Sequence, residues 1–311
     1  RQLLGGFTVN TPVIDLHIDT IYALFNRYSS GDLRSNTGHV DLLRMKTLQG
    51  ITSCFALFVD GQETPGKWEA VSELHRSFLE QMRGNGETID HVATGEKTEG
   101  CHALLSVEEG GVLEGDLARL EILHSWGVRL MTIGWNWENE LGFPHYQKGA
   151  LKPFGHQVVK RMEELKILVD VSHLNDEGIN DIVTIAKRPV VASHSNCRRV
   201  CNHSRNLSDE LIGKIAETGG VVGLTFCPPF VIRQSTHTSV EALAAHCKHF
   251  YKVGGSEILA LGTDYDGFTG TCEIRGYQDL HILHSALERV GFSSSVLDGF
   301  WYRNARRVLD A

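Results

Sequence analysis

The sequence predicts an α/β protein built as a single-domain (β/α)8 TIM barrel over residues 1–311. Three observations support this prediction. Eight short apolar runs rich in β-branched residues recur along the chain, segments of helical periodicity separate them, and no low-complexity tract or Pro/Gly-rich linker divides them. Such alternation is typical of a parallel sheet with crossover helices. Eight repeats favour a closed barrel over an open doubly wound sheet, although periodicity alone does not reveal closure.

The predicted strands, in chain order, are residues 13–17, 53–59, 103–107, 128–133, 167–172, 189–193, 220–226 and 258–262. Residues 115–125 have leucines at three-residue spacing, and residues 208–218 begin with a Ser-Asp-Glu start signal, so both segments are predicted helices. Residues 84–95 are polar and are predicted to form a long loop. No Gly-x-Gly-x-x-Gly or Walker loop is present, so a nucleotide-binding open sheet has no support.

Composition excludes several classes of partner. The formal net charge is -8, whereas nucleic acids and anionic membrane surfaces attract basic proteins. No apolar stretch reaches 18 residues, residues 1–11 lack the apolar core of a signal peptide, and residues 301–307 offer no lipid-anchor tail. The seven cysteines are scattered without a C-x-x-C pair, as expected for reduced thiols. We therefore expect a cytoplasmic protein without nucleic-acid or membrane partners; a homodimer is left open.

Residues suited to metal binding or proton transfer follow most of the predicted strands. These residues are His17, Asp19, Glu108, His173, His194 and Asp264. In an α/β barrel the carboxyl ends of all strands converge on one face, so these residues are expected to share one pocket. Taken singly, a histidine has a surface or core role as its alternative, and a carboxylate at a strand end can cap the next helix. Capping and core packing explain the whole set poorly.

The set predicts a centre with two metal ions. His17 and Asp19 are two residues apart, so their side chains point to the same face of a strand and can meet one cation. Glu108 is placed to bridge this ion to a second one held by His173 and His194. Imidazole and carboxylate ligands suit zinc ahead of iron, cobalt or manganese.

A basic loop follows the sixth predicted strand. Arg198, Arg199 and His203 lie on it, and an arginine there could hold a substrate carboxylate through paired hydrogen bonds. The alternative for Arg198 and Arg199 is a solvated basic loop. Cys197 and Cys201, four residues apart, are predicted to pack in a helix rather than to bind metal.

Five motifs together resemble the membrane (renal) dipeptidase family, in its bacterial form. They are residues 13–19 (VIDLHID), 105–111 (LSVEEGG), 169–173 (VDVSH), 193–207 (from SHSN to RNL) and 262–267 (GTDYDG), in the order typical of that family. The resemblance implies a (β/α)8 barrel with two Zn²⁺ ions, one on His17 and Asp19 and one on His173 and His194. It implies Glu108 as the bridging ligand, with Glu109 as the fallback.

The resemblance also implies roles for two further residues. Asp264 would handle the proton, and Arg205 would bind the C-terminal carboxylate of a dipeptide. Mammalian-type members carry a substrate-contacting histidine after the fourth strand, where this chain has Trp135 and Asn136. Trp135 cannot replace a histidine as an acceptor or a cation, so these two residues are predicted to contact the substrate with an altered preference.

The expected function is zinc-dependent hydrolysis of dipeptides, L,D-dipeptides included, by a metal-bridging hydroxide. One alternative on the same scaffold is hydrolysis of another small amide, such as an N-acyl amino acid or a β-lactam. An alternative of another class is a catalytically silent metal-binding protein. Covalent catalysis is disfavoured because Gly-x-Ser-x-Gly is absent, and a Schiff-base lyase because no predicted strand ends in lysine.

Overall fold

Eight parallel strands close into one barrel in a computed structural model, which describes residues 11–28, 31–62 and 64–311. Each barrel strand pairs with the next barrel strand along the chain. The last barrel strand pairs with the first through Leu261 and Asp15. The strands are β1 (Val13–Ile18), β2 (Gly50–Phe58), β3 (Gly100–Glu108), β4 (Val128–Thr132), β5 (Leu168–Asp170), β6 (Val191–Ser195), β7 (Val221–Leu224) and β8 (Leu259–Leu261). The predicted barrel is therefore confirmed.

All eight predicted runs form barrel strands, with one shift that affects the site. Strand β6 begins and ends two residues later than predicted, so His194 lies inside the strand rather than after it. The prediction of a loop over residues 84–95 was wrong in part. This segment contains the short strand Ile89–His91, which pairs with β3 on the outside of the barrel because Ile89 buries its side chain there.

Helices surround the barrel, and their bounds follow local signals. The helix predicted over 208–218 spans Asp209–Glu217, and the Ser208 side chain accepts a hydrogen bond from the backbone N–H of Leu211. The helix predicted over 115–125 begins only at Arg119. The helices are α1 (Thr20–Asn26), α2 (Leu42–Met45), α3 (Lys67–Gly84), α4 (Arg119–Ser125), α5 (Pro153–Glu164), α6 (Asp176–Ile185), α7 (Asp209–Glu217), α8 (Pro228–Val231), α9 (Val240–Gly254), α10 (Leu280–Arg289), α11 (Ser294–Asp298) and α12 (Asn304–Leu309).

The apolar core has two layers that follow from the two-residue period of the strands. Inward-facing residues such as Ile14, Leu104 and Val221 fill the barrel, and α12 adds Ala305 and Val308 to this inner cluster. The second layer lies between the strands and the surrounding helices. Helix α12 lies at the amino-terminal end of the barrel, where the Asn304 side chain donates hydrogen bonds to the backbone oxygens of Ser256 and Leu259 next to the start of β8. The carboxyl ends of the strands lie at the opposite end of the barrel.

The sequence predicts neither a signal peptide at the start of the chain nor a membrane-spanning segment within it. Residues 1–10, which contain most of the segment judged to lack a signal-peptide core, lie outside the described residues. Within the part of the chain that the structure describes, none of the helices combines the length and the apolar character needed to cross a bilayer.

Candidate metal centre and its cavity

Six ionisable side chains from five strands meet at the carboxyl end of the barrel. His17 and His194 lie within strands, and Glu108 is the last residue of β3. Asp19, His173 and Asp264 lie one to three residues past the ends of β1, β5 and β8. Every one of the six is at least 92% buried, because the largest exposed fraction is the 8% of Asp264. Positions separated by up to 247 residues of sequence thus share one site, as the strand-end pattern predicts.

The two carboxylate oxygens of Glu108 face different imidazoles. Oε2 lies 3.4 Å from His17 Nε2, while Oε1 lies 3.0 Å from His173 Nε2 and 3.5 Å from His194 Nε2. The Nε2 atoms of His173 and His194 are 2.9 Å apart. On the other side, Asp19 Oδ2 lies 3.4 Å and Asp264 Oδ1 4.0 Å from His17 Nε2. Glu108 therefore lies between two groups of potential ligands.

Two of the potential ligand atoms of the centre are buried without a hydrogen-bond partner among the described residues, as expected for atoms that bind a metal ion. These atoms are His17 Nε2 and Asp19 Oδ1. Asp19 occupies the N-cap position of α1, yet its side chain makes no capping hydrogen bond, so the capping alternative for this carboxylate does not hold. A buried polar atom without a partner is costly unless an unseen group satisfies it. Imidazole nitrogen and carboxylate oxygen are suitable ligands for a divalent cation.

Hydrogen bonds at the opposite ring nitrogen orient two of the histidines. His173 Nδ1 lies 2.9 Å from Asn136 Oδ1, and His194 Nδ1 lies 2.8 Å from the hydroxyl of Ser193. With the Nδ1 proton donated to these oxygens, both Nε2 atoms present a lone pair towards Glu108. This is the arrangement that metal-binding histidines usually have.

Burial and mutual charge shift the pKa of two carboxyl groups, Glu108 and Asp264, and of the three histidines of the centre. Burial raises the pKa of Glu108 to about 7 against the opposing effect of His17, and it raises the pKa of Asp264 well above its usual range. Burial lowers the pKa of His173 and His194 well below the usual range, so both are neutral. For His17, burial is outweighed by the carboxylates of Glu108 and Asp19, which hold its pKa well above the usual range. A bound cation would take the place of this extra proton.

Backbone strain is concentrated at the same strand ends. Four of the seven described non-glycine residues with positive φ lie here: Glu109 (99°), His173 (70°), Asp264 (63°) and Asp266 (67°). Such conformations cost about 1–3 kcal/mol each and persist where the surroundings impose them. Gly267 completes the turn after β8, and a Cβ at this position would collide with the carboxylates of Asp19 and Asp264. The chain is thus folded tightly against the centre.

Glu109, the fallback for the bridging ligand, points away from the centre. Its carboxylate accepts hydrogen bonds from Gly111 N, Trp135 N and the side-chain amide of Asn139, all at 2.8 Å. Its side chain caps the 3-10 helix Gly110–Leu113. Glu109 therefore holds the loop after β4, and Glu108 is the carboxylate that faces the imidazoles.

A cavity of about 310 Å³ opens directly onto the centre. Trp135 and Asn136 line it, as do Glu108, Asp19, His173 and Asp264. The remaining wall was not predicted from the sequence. It consists of Tyr22, Arg27, Phe58, Asp60, Cys227, Pro229, Phe230, Gly267, Phe268 and Thr269. Aromatic side chains past the ends of strands could have indicated them, but in sequence they are indistinguishable from core residues. The cavity is aromatic on its sides and ionic at its base, as small-molecule sites commonly are.

Arg205 lies behind this cavity rather than on its surface. It is 3% exposed, and its terminal nitrogens donate to the Ser195 hydroxyl and to the backbone oxygen of His194 at 2.7 Å. Its Nε is buried without a partner among the described residues. The guanidinium carbon lies 5.6 Å from the ring centre of Phe230, which lines the cavity. Arg205 thus places a positive charge beside the centre.

Three other residues of the basic loop, Arg198, Arg199 and His203, do not line the cavity. Arg198 is committed to a paired salt bridge with Asp176, and Arg199 is exposed. His203 packs against Phe230. The helical arrangement predicted for Cys197 and Cys201 was wrong: both are buried, but they lie in a turn in which the Cys201 N–H donates to Cys197 O.

Comparisons with known proteins identify the family to which the chain belongs. A sequence model of the membrane dipeptidase family (peptidase family M19) matches residues 6–311. An uncharacterised dipeptidase of Schizosaccharomyces pombe is 26% identical over 99% of this chain and 82% of its own length. The solved structure of dipeptidase AC, a metallopeptidase of family M19, has a TM-score of 0.87 at 25% identity, covering 97% of this chain and 98% of that one. A metallopeptidase of Rhodobacter sphaeroides, liganded with a phosphinate mimic of L-Ala-D-Ala, has the same fold, with a TM-score of 0.87 at 24% identity over 97% and 99% of the two chains.

Proposed function

The chain belongs to the membrane dipeptidase family and is a metal-dependent peptide-bond hydrolase, and on this basis we propose that it uses two zinc ions to cleave dipeptides, L,D-dipeptides included. His17 and Asp19 would hold one ion, His173 and His194 the other, and Glu108 would bridge them. The position of Glu108, with one oxygen towards each group of ligands, is the observation that carries the proposal. When bound, the ions supply a water-derived nucleophile at neutral pH and polarise the scissile carbonyl.

We assign proton transfer to Asp264. Its carboxylate lines the cavity beside His17 and Asp19 and is held there by a left-handed backbone. Burial raises its pKa, which favours a group that takes a proton from the attacking water and returns it to the departing amine. Of the other carboxylates that line the cavity, Asp19 and Glu108 are assigned as ligands, and Asp60 accepts a hydrogen bond from Trp137 Nε1.

Substrate binding is assigned to Arg205 and to the wall of the cavity. The buried charge of Arg205 lies next to Phe230, and from behind this wall it would attract the C-terminal carboxylate of a dipeptide in the cavity. Trp135 contacts Phe58 edge-on, with ring centres 4.7 Å apart, and provides an apolar surface for a substrate side chain. Asn136 contacts the substrate from the same loop while its Oδ1 orients His173.

We also propose a reducing compartment, the cytoplasm, for this enzyme. All seven cysteines are free and buried, and none is paired in a disulfide. This pattern is typical of proteins kept under reducing conditions.

The experiment that tests the function is a substrate screen of zinc-reconstituted protein with bound metal counted in parallel. L,L- and L,D-dipeptides are compared with N-acyl amino acids and a β-lactam, and chelator-treated protein is the control. Dipeptide cleavage with about two ions per chain supports the proposal. Preference for the acylated compounds would shift the assignment to another small amide. Two bound ions without turnover of any compound would indicate a silent metal-binding protein.

A further inference from the structure

Asp15 is a fully buried carboxylate that does not line the cavity and whose hydrogen bonds do not involve the ligand atoms assigned to the centre. Its Oδ1 accepts hydrogen bonds from the backbone N–H of His17 at 3.3 Å and of Thr263 at 2.9 Å. Its Oδ2 accepts from the Thr263 hydroxyl at 2.6 Å and from the Tyr277 hydroxyl at 2.9 Å. Asp15 thus joins β1 to the end of β8, immediately before Asp264.

Asp170 repeats this arrangement on the opposite side of the barrel. It is 1% exposed, and its Oδ1 accepts from the backbone N–H groups of Ser172 at 3.0 Å and Ser193 at 2.9 Å. Its Oδ2 accepts from the Ser193 hydroxyl, which also contacts His194 Nδ1. Asp170 thus joins the segment after β5 to strand β6. Its two partners are Ser172, the residue before His173, and Ser193, the residue before His194.

The two carboxylates share one geometry. Each accepts the backbone N–H of the residue two positions further along the chain. Each also accepts both the N–H and the hydroxyl of one residue of a neighbouring segment, which is Thr263 just after β8 for Asp15 and Ser193 within β6 for Asp170. Thr263 and Ser172, which are fixed in this way, directly precede Asp264 and His173, two of the residues with positive φ. A left-handed residue needs such support because the backbone does not favour it.

We propose that Asp15 and Asp170 are matched positioning residues, each of which sets the geometry of one half of the metal centre. Asp15 serves the half with His17 and Asp264, and Asp170 serves the half with His173 and His194. This inference rests on the proposed two-ion site. Each ion then has its own buried aspartate that positions its ligands. A substitution around one aspartate should therefore change the affinity for one ion and not for the other.

The hydrogen-bond donors around Asp15 and Asp170 suit a carboxylate at both positions. Asp15 receives four donated hydrogen bonds, and Asp170 receives three. An ionised carboxylate only accepts, whereas an amide nitrogen in place of either Oδ2 would be satisfied only if the facing hydroxyls turned from donors into acceptors. Burial raises the pKa of Asp15, and the four donated hydrogen bonds oppose that rise.

The test is zinc titration of metal-free protein in competition with a chromophoric zinc chelator, which needs no substrate. Thr263→Val removes the hydroxyl that donates to Asp15, and Ser193→Ala removes the one that donates to Asp170. The chain offers matched controls in Thr52→Val and Ser106→Ala, because both hydroxyls are buried in barrel strands and neither has a hydrogen-bond partner within the described ranges. Thermal unfolding of each metal-free variant separates loss of folding from loss of positioning.

We expect Thr263→Val and Ser193→Ala each to weaken a different one of the two binding steps by about 10- to 100-fold, as loss of outer-shell support usually does. The double variant should weaken both steps, and the controls neither. Asp15→Asn and Asp170→Asn should reproduce the same division with larger effects. Two bound ions without dipeptide cleavage would refute the proposed function and leave this inference standing. Weakening of the same step by both variants, unchanged affinity in folded variants, or loss of folding by both hydroxyl variants would overturn it.

Discussion

Glu108 and Glu109 are consecutive residues whose buried carboxylates serve different parts of the site. Glu108 ends β3 and faces three imidazoles, with His173 Nε2 at 3.0 Å. Glu109 has a φ of 99° and turns its carboxylate to the loop after β4, where it accepts the Trp135 N–H at 2.8 Å. The change of backbone direction between them separates a residue that can bind metal from one that shapes the cavity.

The two glutamates should therefore respond differently to the same substitution. Glu108→Gln removes the negative charge between the imidazoles, so bound zinc should fall below one ion per chain and turnover should be lost. Glu109→Gln should leave the zinc content unchanged and raise KM several-fold, because its amide nitrogen cannot accept from the loop. Metal analysis and steady-state kinetics of the two variants check this. Loss of zinc in Glu109→Gln alone would reverse the assignment.

Asp264→Asn isolates the proton-transfer step. The protein ligands His17, Asp19, Glu108, His173 and His194 remain, so zinc content should be retained. kcat should fall by about 10²- to 10⁴-fold, the usual contribution of a positioned acid–base group. Single-turnover rates and metal content measured on the same sample provide the check. Unchanged kcat with zinc bound would remove Asp264 from this role.

Trp135→Ala removes one aromatic face of the cavity. KM for dipeptides with apolar side chains should rise about tenfold, equivalent to about 1.4 kcal/mol of binding free energy. KM for glycyl-glycine should change less, because it has no side chain to lose contact. Trp126→Ala is the control, since that half-buried ring stacks on His75 away from the cavity. An equal effect on both classes of dipeptide would argue against side-chain contact by Trp135.

The ionic part of the site could be predicted from sequence because barrel geometry converts a linear pattern into a spatial one. Each strand run is short, and all carboxyl ends share one face, so His17, Glu108 and His194 had to converge once the barrel was inferred. The one-residue choice between Glu108 and Glu109 needed the structure. It depends on a positive φ, which no periodicity reveals in a residue other than glycine.

The apolar wall and the outer supports could not be predicted in the same way. Phe58 and Phe230 belong to apolar segments, and whether such a ring faces a cavity or the core depends on packing across distant strands. Asp15 and Asp170 did leave a signal, because a carboxylate within an apolar strand must be paired or hydrogen-bonded. Their partners, Thr263 and Ser193, carry no signal of their own, so the role of the two aspartates emerged only from the contacts.

Stability at acidic pH should depend on His246, a histidine that is neither assigned as a metal ligand nor part of the cavity wall. This histidine is fully buried in α9, where Nδ1 accepts from the Cys197 N–H at 3.1 Å and Nε2 donates to Val231 O at 3.0 Å. The contact at Nδ1 requires the neutral ring, because a protonated Nδ1 cannot accept a hydrogen bond. Burial lowers its pKa from 6.5 to about 4, while in the unfolded chain the ordinary value applies.

Between pH 6.5 and 4 the unfolded chain therefore binds a proton at this position that the folded chain does not. The free energy of unfolding falls as the pH falls, and His246 accounts for about 3 kcal/mol of that loss. In His246→Asn the fall between pH 7 and pH 4 should be smaller by about this amount, although the variant is less stable at pH 7 because hydrogen bonds are lost. Urea unfolding of chelator-treated protein at a series of pH values measures the difference, with the exposed His156→Asn as the control. Parallel curves for wild type and His246→Asn would mean that the imidazole takes up its proton without unfolding the turn that it holds.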